Sequence, residues 1–182
     1  MLGLLTTSPA RERPDLLAAT VAASLAGPWG LDVHVAEIDP ALADTAAFCE
    51  RYDVALAVSA NCVIVAGRRG RETRHAGCVV LATTRADVNG VVRRRLDARK
   101  ASFAPMDSAV AQTGMEHGGI TPFGLPAGWP LLIDAAVAAT ALVVVGSGLR
   151  RSKLVVPGSA LAAIPGAEVV KGLAKPTEPL RG

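Results

Sequence analysis

The sequence is poor in aromatic residues, in cysteine and in every compact catalytic signature. Aromatics make up 3% of its 182 residues, so the core has to come from Ala, Val, Leu and Ile, a set that suits thin helices packed closely on a sheet. The three cysteines, Cys49, Cys62 and Cys78, are odd in number, lack CxxC spacing and each sit in an apolar run. That argues against a disulfide framework or a zinc site and predicts buried, reduced thiols. No nucleophile elbow, Walker-type phosphate loop or HExxH motif is present, and neither a metal nor a cofactor is expected. The longest apolar stretch, residues 131–145, is interrupted by Asp134 and is shorter than the roughly 20 residues a membrane helix needs. With no basic region leading into an apolar core at the N-terminus, the chain is expected to carry no secretory signal and to be soluble and cytoplasmic.

What is present is ample apolar material: 51% of residues are hydrophobic and the mean hydropathy is +0.37. A chain of this length fits one domain. The net charge of +3 hides an asymmetry. Residues 1–60 carry three basic against eight acidic side chains, a net of −5, whereas residues 61–182 carry sixteen against eight, a net of +8. Such a division suits one face turned toward a polyanion, or simply an unevenly charged solvated surface.

Taken along the chain, Pro14, Asp15 and Gly27 bracket a helix, and residues 32–38 alternate as a strand with His34 outward. Asp39-Pro40 opens a second helix to about Tyr52. Residues 60–67 and 74–83 flank a polar turn crowded by Arg68, Arg69, Arg71 and Arg74, the pattern of a β-hairpin. Thr84 and Asp87 stand at capping-box spacing before a helix exposing Arg93 and Arg94. A short strand at residues 100–104 and a helix capped by Asp107 and ended by Gly114 follow. Beyond residue 130, LLID, ALVVVG and SKLVV are strand candidates, with Arg150, Arg151 and Lys153 at a hairpin tip. SALAAI and AEVV close the chain as helix and edge strand before a loose tail from Ala174. Hairpins alternating with helices predict an α/β (α+β) fold with a mixed sheet.

The least regular stretch is residues 113–134, TGMEHGGITPFGLPAGWPLLID. Its glycines and prolines are too many for a helix or strand. An ordered loop of this length is either a long structural connection or a functional segment, and its glycines let a ligand approach the backbone. His117 is the one imidazole placed where a ligand could sit. Asp134 could anchor the loop or face a cavity.

The order ANCVIVAG, basic hairpin, DVNGVVRRRL, ARKASFA, TGMEHGGITPFGLP, LLID, VVVGSG and SKLVV resembles the YbaK/prolyl-tRNA synthetase-associated domain family over about residues 35–171. Residues 1–34 would then be a helical extension of a single domain. The resemblance implies a trans-editing aminoacyl-tRNA deacylase. Gly118, Gly119, Ile120, Thr121 and Pro122 would contact the aminoacyl ester, assisted by the substrate's own groups, and Asp134 would stand at the matching acidic position. Arg93 and Arg94 would engage acceptor-stem phosphates of tRNA, and a synthetase or elongation factor is a further expected partner. The family carries a lysine where this chain has Asn61. Two expectations follow: a hydrolase in which Asn61 positions substrate, or a module that kept the pocket without hydrolysis and binds a tRNA 3′ end, a nucleotide or a protein.

Overall fold

A computed structural model describes residues 2–30 and 32–177, apart from the side chain of Trp29. Its elements, in chain order, are β1 (Thr7–Pro9), α1 (Ala19–Leu25), β2 (His34–Glu37), α2 (Thr45–Tyr52), β3 (Ala60–Arg69), β4 (Glu72–Leu81), β5 (Thr84–Ala86), α3 (Arg93–Arg95), β6 (Lys100–Phe103), α4 (Met106–Thr113), β7 (Leu131–Asp134), α5 (Ala135–Ala139), β8 (Val143–Gly146), β9 (Ser152–Val156), α6 (Gly158–Ala162), β10 (Ala167–Val170) and β11 (Ala174–Pro176). The fold is mixed α/β. One sheet has the order β1-β2-β9-β8, a second β10-β7-β4-β3-β6, and a two-stranded ribbon pairs β11 with β5. The second sheet is itself mixed: β7 runs parallel to β4 and β10, while β3 is antiparallel to β4 and β6. The hairpin of β3 and β4 reverses at Gly70, whose φ of +63° is a conformation that glycine adopts without a Cβ penalty.

The two larger sheets face one another across the main core. Strand alternation sends Val143, Val145, Leu154 and Val156 from one sheet and Cys62, Ile64, Val79 and Ile133 from the other into it, and α1 closes one side with Val21 and Leu25. The outer face of the first sheet buries Val144 and Val155 under Phe48 and Cys49 of α2. The outer face of the second buries Val65, Cys78 and Val80 under Val92 and Leu96. Both sheets are therefore covered on both faces, which is why β8 reads as a continuous apolar run rather than an alternating one. All three cysteines are buried and free. No described helix is long and apolar enough to cross a membrane.

Local signals gave way to tertiary bonds at several boundaries. The helix expected from Pro14 begins only at Ala19, after a 3₁₀ turn at Pro14–Leu16. The Leu16 carbonyl accepts from Ser152 Oγ (2.6 Å) and the Ala18 N–H donates to the Ser147 carbonyl (3.2 Å), so this backbone is committed to the first sheet. Asp39 does cap its turn by accepting from Ala41 N–H, but that turn is 3₁₀ and α2 starts afresh at Thr45. Asp87 accepts from Gly90 N–H (3.1 Å) at the head of a π-helical turn, Val88–Val92, whereas its expected capping partner Thr84 lies in β5. Asp107 sits in the first turn of α4 without capping it.

The tail is not loose where it begins. Ala174–Pro176 pairs with β5 in antiparallel register, and the Asp134 carboxylate accepts the Ala174 N–H at 3.0 Å. Residues 178–182 lie outside the described residues. The same carboxylate accepts the Ala136 N–H at 2.9 Å as the N-cap of α5, so Asp134 ties a helix start to a chain-distant strand. Asp134→Ala is expected to lower stability by about 2 kcal/mol, the loss of an N-cap and of a buried acceptor, measured by urea denaturation. A change below about 0.5 kcal/mol would overturn this assignment.

Candidate active site

The two large sheets touch at one parallel bridge, Ser59 to Val144, and diverge beyond it. Strand β6 covers β3 only from Val65 to Arg68, leaving the first half of that edge of β3 unpaired by β6. The Ala104 N–H donates to the Ile64 carbonyl on this edge, so alternation turns the main-chain groups of Ala60 and Cys62 the same way. Strand β8 is the edge of its own sheet. Between the two edges lies a cavity of about 370 Å³, walled by Ala60, Cys62, Ile64, Ile120, Val144 and Val145 and rimmed by Phe103 and Met106. The N-terminal end of α2, Asp44 and Thr45, closes it from above. Burial pushes the Cys62 thiol far above its usual range, so it is an uncharged wall residue.

The glycine-proline loop forms one wall, held from behind by its own main chain. The Gly119 N–H donates to the Glu116 carbonyl (2.9 Å), the Gly119 carbonyl accepts from Gly148 N–H (2.7 Å), and the Glu116 carboxylate accepts from Arg150 N–H (2.6 Å). Glycine is required where this loop meets β8: a Cβ on Gly146 would sit 2.7 Å from the Ile120 carbonyl oxygen and still closer to that of Gly119. The residues on the inner side, Gly118 and Ile120, line the cavity, and their N–H groups carry no acceptor among the described residues. They are available to a ligand oxygen.

Asn61 reaches the same cavity from β3. Its Oδ1 accepts from the Thr45 hydroxyl at 2.8 Å, which leaves the amide –NH₂ as a donor. Lys153, expected at an exposed hairpin tip, is instead 8% exposed inside β9 and lines this cavity. Its register neighbours are Ala36 on β2 and Gly146 on β8, small residues that leave room for its stem on the face under α2. The ammonium donates to the Ala43 carbonyl at 2.8 Å and stands 5.4 Å from the Phe48 ring centroid. No carboxylate lies within 4.0 Å of it among the described residues. Burial draws its pKa down from 10.5 to about 8, opposed by Cys49 and Asp44 and assisted by Arg150. Arg150, which lies in the β8–β9 turn as the hairpin reading places it, spans the mouth, donating to the carbonyls of Pro40 (3.2 Å) and His117 (3.1 Å).

Of the expected site residues, the cavity thus gathers Asn61, Gly118 and Ile120. Gly119, Thr121 and Pro122 are buried behind the wall, where they shape it without facing the cavity. His117 is exposed, and its carbonyl rather than its imidazole is engaged. Asp134 is occupied at α5 and β11, away from the cavity, because its two oxygens satisfy backbone donors there. Arg93 and Arg94 are on α3 and do not line the cavity; Arg93 Nε donates to the Asn89 carbonyl. Beside the rim residue Phe103 stands a further basic side chain, Arg85, 5.4 Å from the ring centroid. The signal that could have found Lys153 is a charge inside a strand whose every other position is uncharged and which lies in an interior of the chain's apolar C-terminal part. Among the described residues no three His, Cys, Asp or Glu gather as a metal site.

A family model described as an aminoacyl-tRNA editing domain matches residues 39–164, well over half of the chain. Among solved structures, a proposed trans-editing enzyme for prolyl-tRNA synthetase superposes with a TM-score of 0.71 at 19% identity, covering 85% of this chain and 94% of its own. A hypothetical protein gives 0.71 at 19% over 81% and 94%. A protein from work on epitope backbone grafting onto scaffolds gives 0.70 at 20% over 85% and 95%. At these identities the likeness is one of fold. No curated protein gives a significant match.

A buried ammonium without a carboxylate costs stability. Because the folded-state pKa of Lys153 is about 8 against an ordinary 10.5, the unfolded chain binds more protons between those values. Wild-type stability should therefore rise as pH increases through that window. Lys153→Met is expected to be more stable than wild type at pH 7 by about 1–3 kcal/mol, and the gap should narrow toward pH 10. Denaturant midpoints at the two pH values check this; a constant gap would refute the assigned burial cost.

Proposed function

The chain belongs to the aminoacyl-tRNA editing domain family, and from that premise we propose that it hydrolyses the ester joining a wrongly attached amino acid to the 3′ end of a tRNA. The observation that carries the reading is the cavity itself, in which apolar walls of Ala60, Cys62, Ile64 and Val144 meet donors at Asn61, Gly118 and Ile120. An acyl side chain fits the apolar part. The polar end suits a carbonyl oxygen, whose charge grows as water attacks and which N–H groups in a desolvated site stabilise strongly. An ester is already activated, so positioning it beside water supplies much of what a catalytic triad otherwise would.

Hydrolysis proceeds by addition of water to the ester carbonyl carbon. Collapse of the tetrahedral intermediate then breaks the bond to the ribose oxygen, which leaves with a proton that came from the water. Asn61, fixed by Thr45, orients the carbonyl, and the N–H groups of Gly118 and Ile120 face the developing oxyanion. The RNA end approaches along β6, where Lys100 and its register partner Arg68 lead toward Phe103 and Arg85 at the rim. Whole-chain action as one editing unit in the cytoplasm, with residues 1–34 as an extension, is part of the same reading.

A panel of mischarged tRNAs tests it. Wild type is expected to release at least one small amino acid well above the spontaneous rate, and Asn61→Ala to lower that rate about ten- to hundredfold, the value of a hydrogen bond in a dry site. The second reading, a pocket retained for binding alone, is favoured by Asn61 standing where the family has lysine. It wins if wild type binds tRNA yet cleaves nothing on the panel.

Binding to tRNA should also weaken steeply between 50 and 200 mM salt, by about tenfold or more, as released counterions require. Neutralising Arg85 and Lys100 should flatten that dependence more than neutralising Arg93 and Arg94. Salt-independent binding would remove the phosphate backbone from the interface.

A further inference from the structure

Lys153 has the features of a group held in place at a cost. It is buried within β9, its ammonium has one carbonyl partner and an aromatic face but no carboxylate among the described residues, and it opens onto the same cavity as Asn61. An ammonium carries three donors, and the Ala43 carbonyl uses one. The other two have no acceptor among the described residues, and Lys153 lines the cavity. An ionisable group perturbed by burial and lining a cleft is a candidate functional residue.

We propose that Lys153 is a catalytic residue of this site, supplying from β9 the positive charge that Asn61 cannot supply from β3, and that its ammonium donates to the carbonyl oxygen of the bound ester. This rests on the editing reading above and deepens it. When water adds to the carbonyl carbon, the π electrons move onto that oxygen, and the fixed ammonium stabilises the resulting alkoxide by a charge-assisted hydrogen bond without itself losing a proton. The intermediate then collapses, the acyl–oxygen bond breaks and the ribose oxygen takes the proton delivered by water. Lys153 ends the cycle as it began. Residues of β3 and β9 that line one cavity thus act on one acyl group, Asn61 orienting it and Lys153 polarising it.

The small residues around Lys153 belong to the same device. Ala36 and Gly146 flank it in register, and the Phe48 ring and Ala43 carbonyl fix the ammonium end. The charged and titratable groups facing it are Asp44, which immediately precedes α2, Cys49 of α2 and Arg150 from the turn before β9. Asp44 and Arg150 stand at the mouth 3.9 Å from each other, so they largely offset one another and leave Lys153 as the inner charge.

The test compares wild type, Lys153→Met, Asn61→Lys and the double variant Asn61→Lys/Lys153→Met. It uses two assays, deacylation of the tRNA panel and calorimetric binding of a 3′-aminoacylamino-3′-deoxyadenosine, an amide that keeps the carbonyl but is not cleaved. Lys153→Met is expected to lose about ten- to hundredfold in kcat with a smaller change in KM, to bind the amide less tightly, and to remain folded by its denaturation midpoint. The double variant, with a lysine supplied from β3 instead, is expected to recover part of the rate, which a packing role would not produce. The wild-type rate, corrected for spontaneous hydrolysis, should fall as pH rises through about 8, a limb absent from Lys153→Met.

A Lys153→Met enzyme within twofold of wild type, or amide binding indifferent to the substitution, overturns the inference while the editing reading stands. If wild type cleaves nothing but binds the amide through Lys153, the carbonyl contact stands and the hydrolase reading falls. If it neither cleaves nor binds, both fall.

Discussion

The parallel bridge between Ser59 and Val144 is the constraint on which the rest of the molecule depends. Two sheets that meet at a point and then diverge must leave unpaired backbone on both sides of the gap. An open strand edge is a liability in most proteins, because it offers unpaired groups to any passing chain. Here one edge is covered by the glycine-proline loop and the other faces the cavity, so backbone polarity becomes the lining of a site. The burial of both sheets on their outer faces by α2 and by the π turn with α3 holds the divergence open.

The loop and the turn before β9 form one body. Glu116, Gly119, Gly148 and Arg150 exchange main-chain and carboxylate hydrogen bonds, and Gly146 permits a contact that no larger residue would. With the outer N–H groups of the loop satisfied, those of Gly118 and Ile120, two residues that line the cavity, are left without an acceptor among the described residues. Rigidity and reactivity thus come from a single pattern of alternating main-chain commitments. The electrostatics follow the same logic: the ammonium of Lys153 is tolerated because a carbonyl, an aromatic face and two small neighbours accommodate it, at a cost in folding free energy.

The sequence made legible the features that depend on local chemistry. The mixed sheet, the β3–β4 hairpin and the irregularity of residues 113–130 follow from periodicity and breakers, and the presence of Asn61 beside that loop is implied by the family resemblance. What it concealed depends on partners distant in the chain. Leu16 and Ala18 are helix formers diverted by bonds to Ser152 and Ser147. Asp134 could be read as an anchor of the loop or as a residue facing a cavity; it does anchor backbone N–H groups, but those of Ala136 and Ala174, the latter forty residues on, and not those of the loop. Lys153 resembled a hairpin-tip charge because it follows two arginines; only the register that places it between Ala36 and Gly146 makes it an interior residue.

The stiffness of the loop wall has an evolutionary consequence. Alterations to its glycines propagate into Leu149, Gly146 and the β8 edge, so that side of the cavity offers little freedom to drift. Phe103 and Met106, by contrast, stand 40% and 45% exposed at the opposite rim and touch none of those bonds. Divergence toward a bulkier or smaller acyl group therefore has its cheapest route through two side chains at the entrance, leaving the chemistry behind them unaltered.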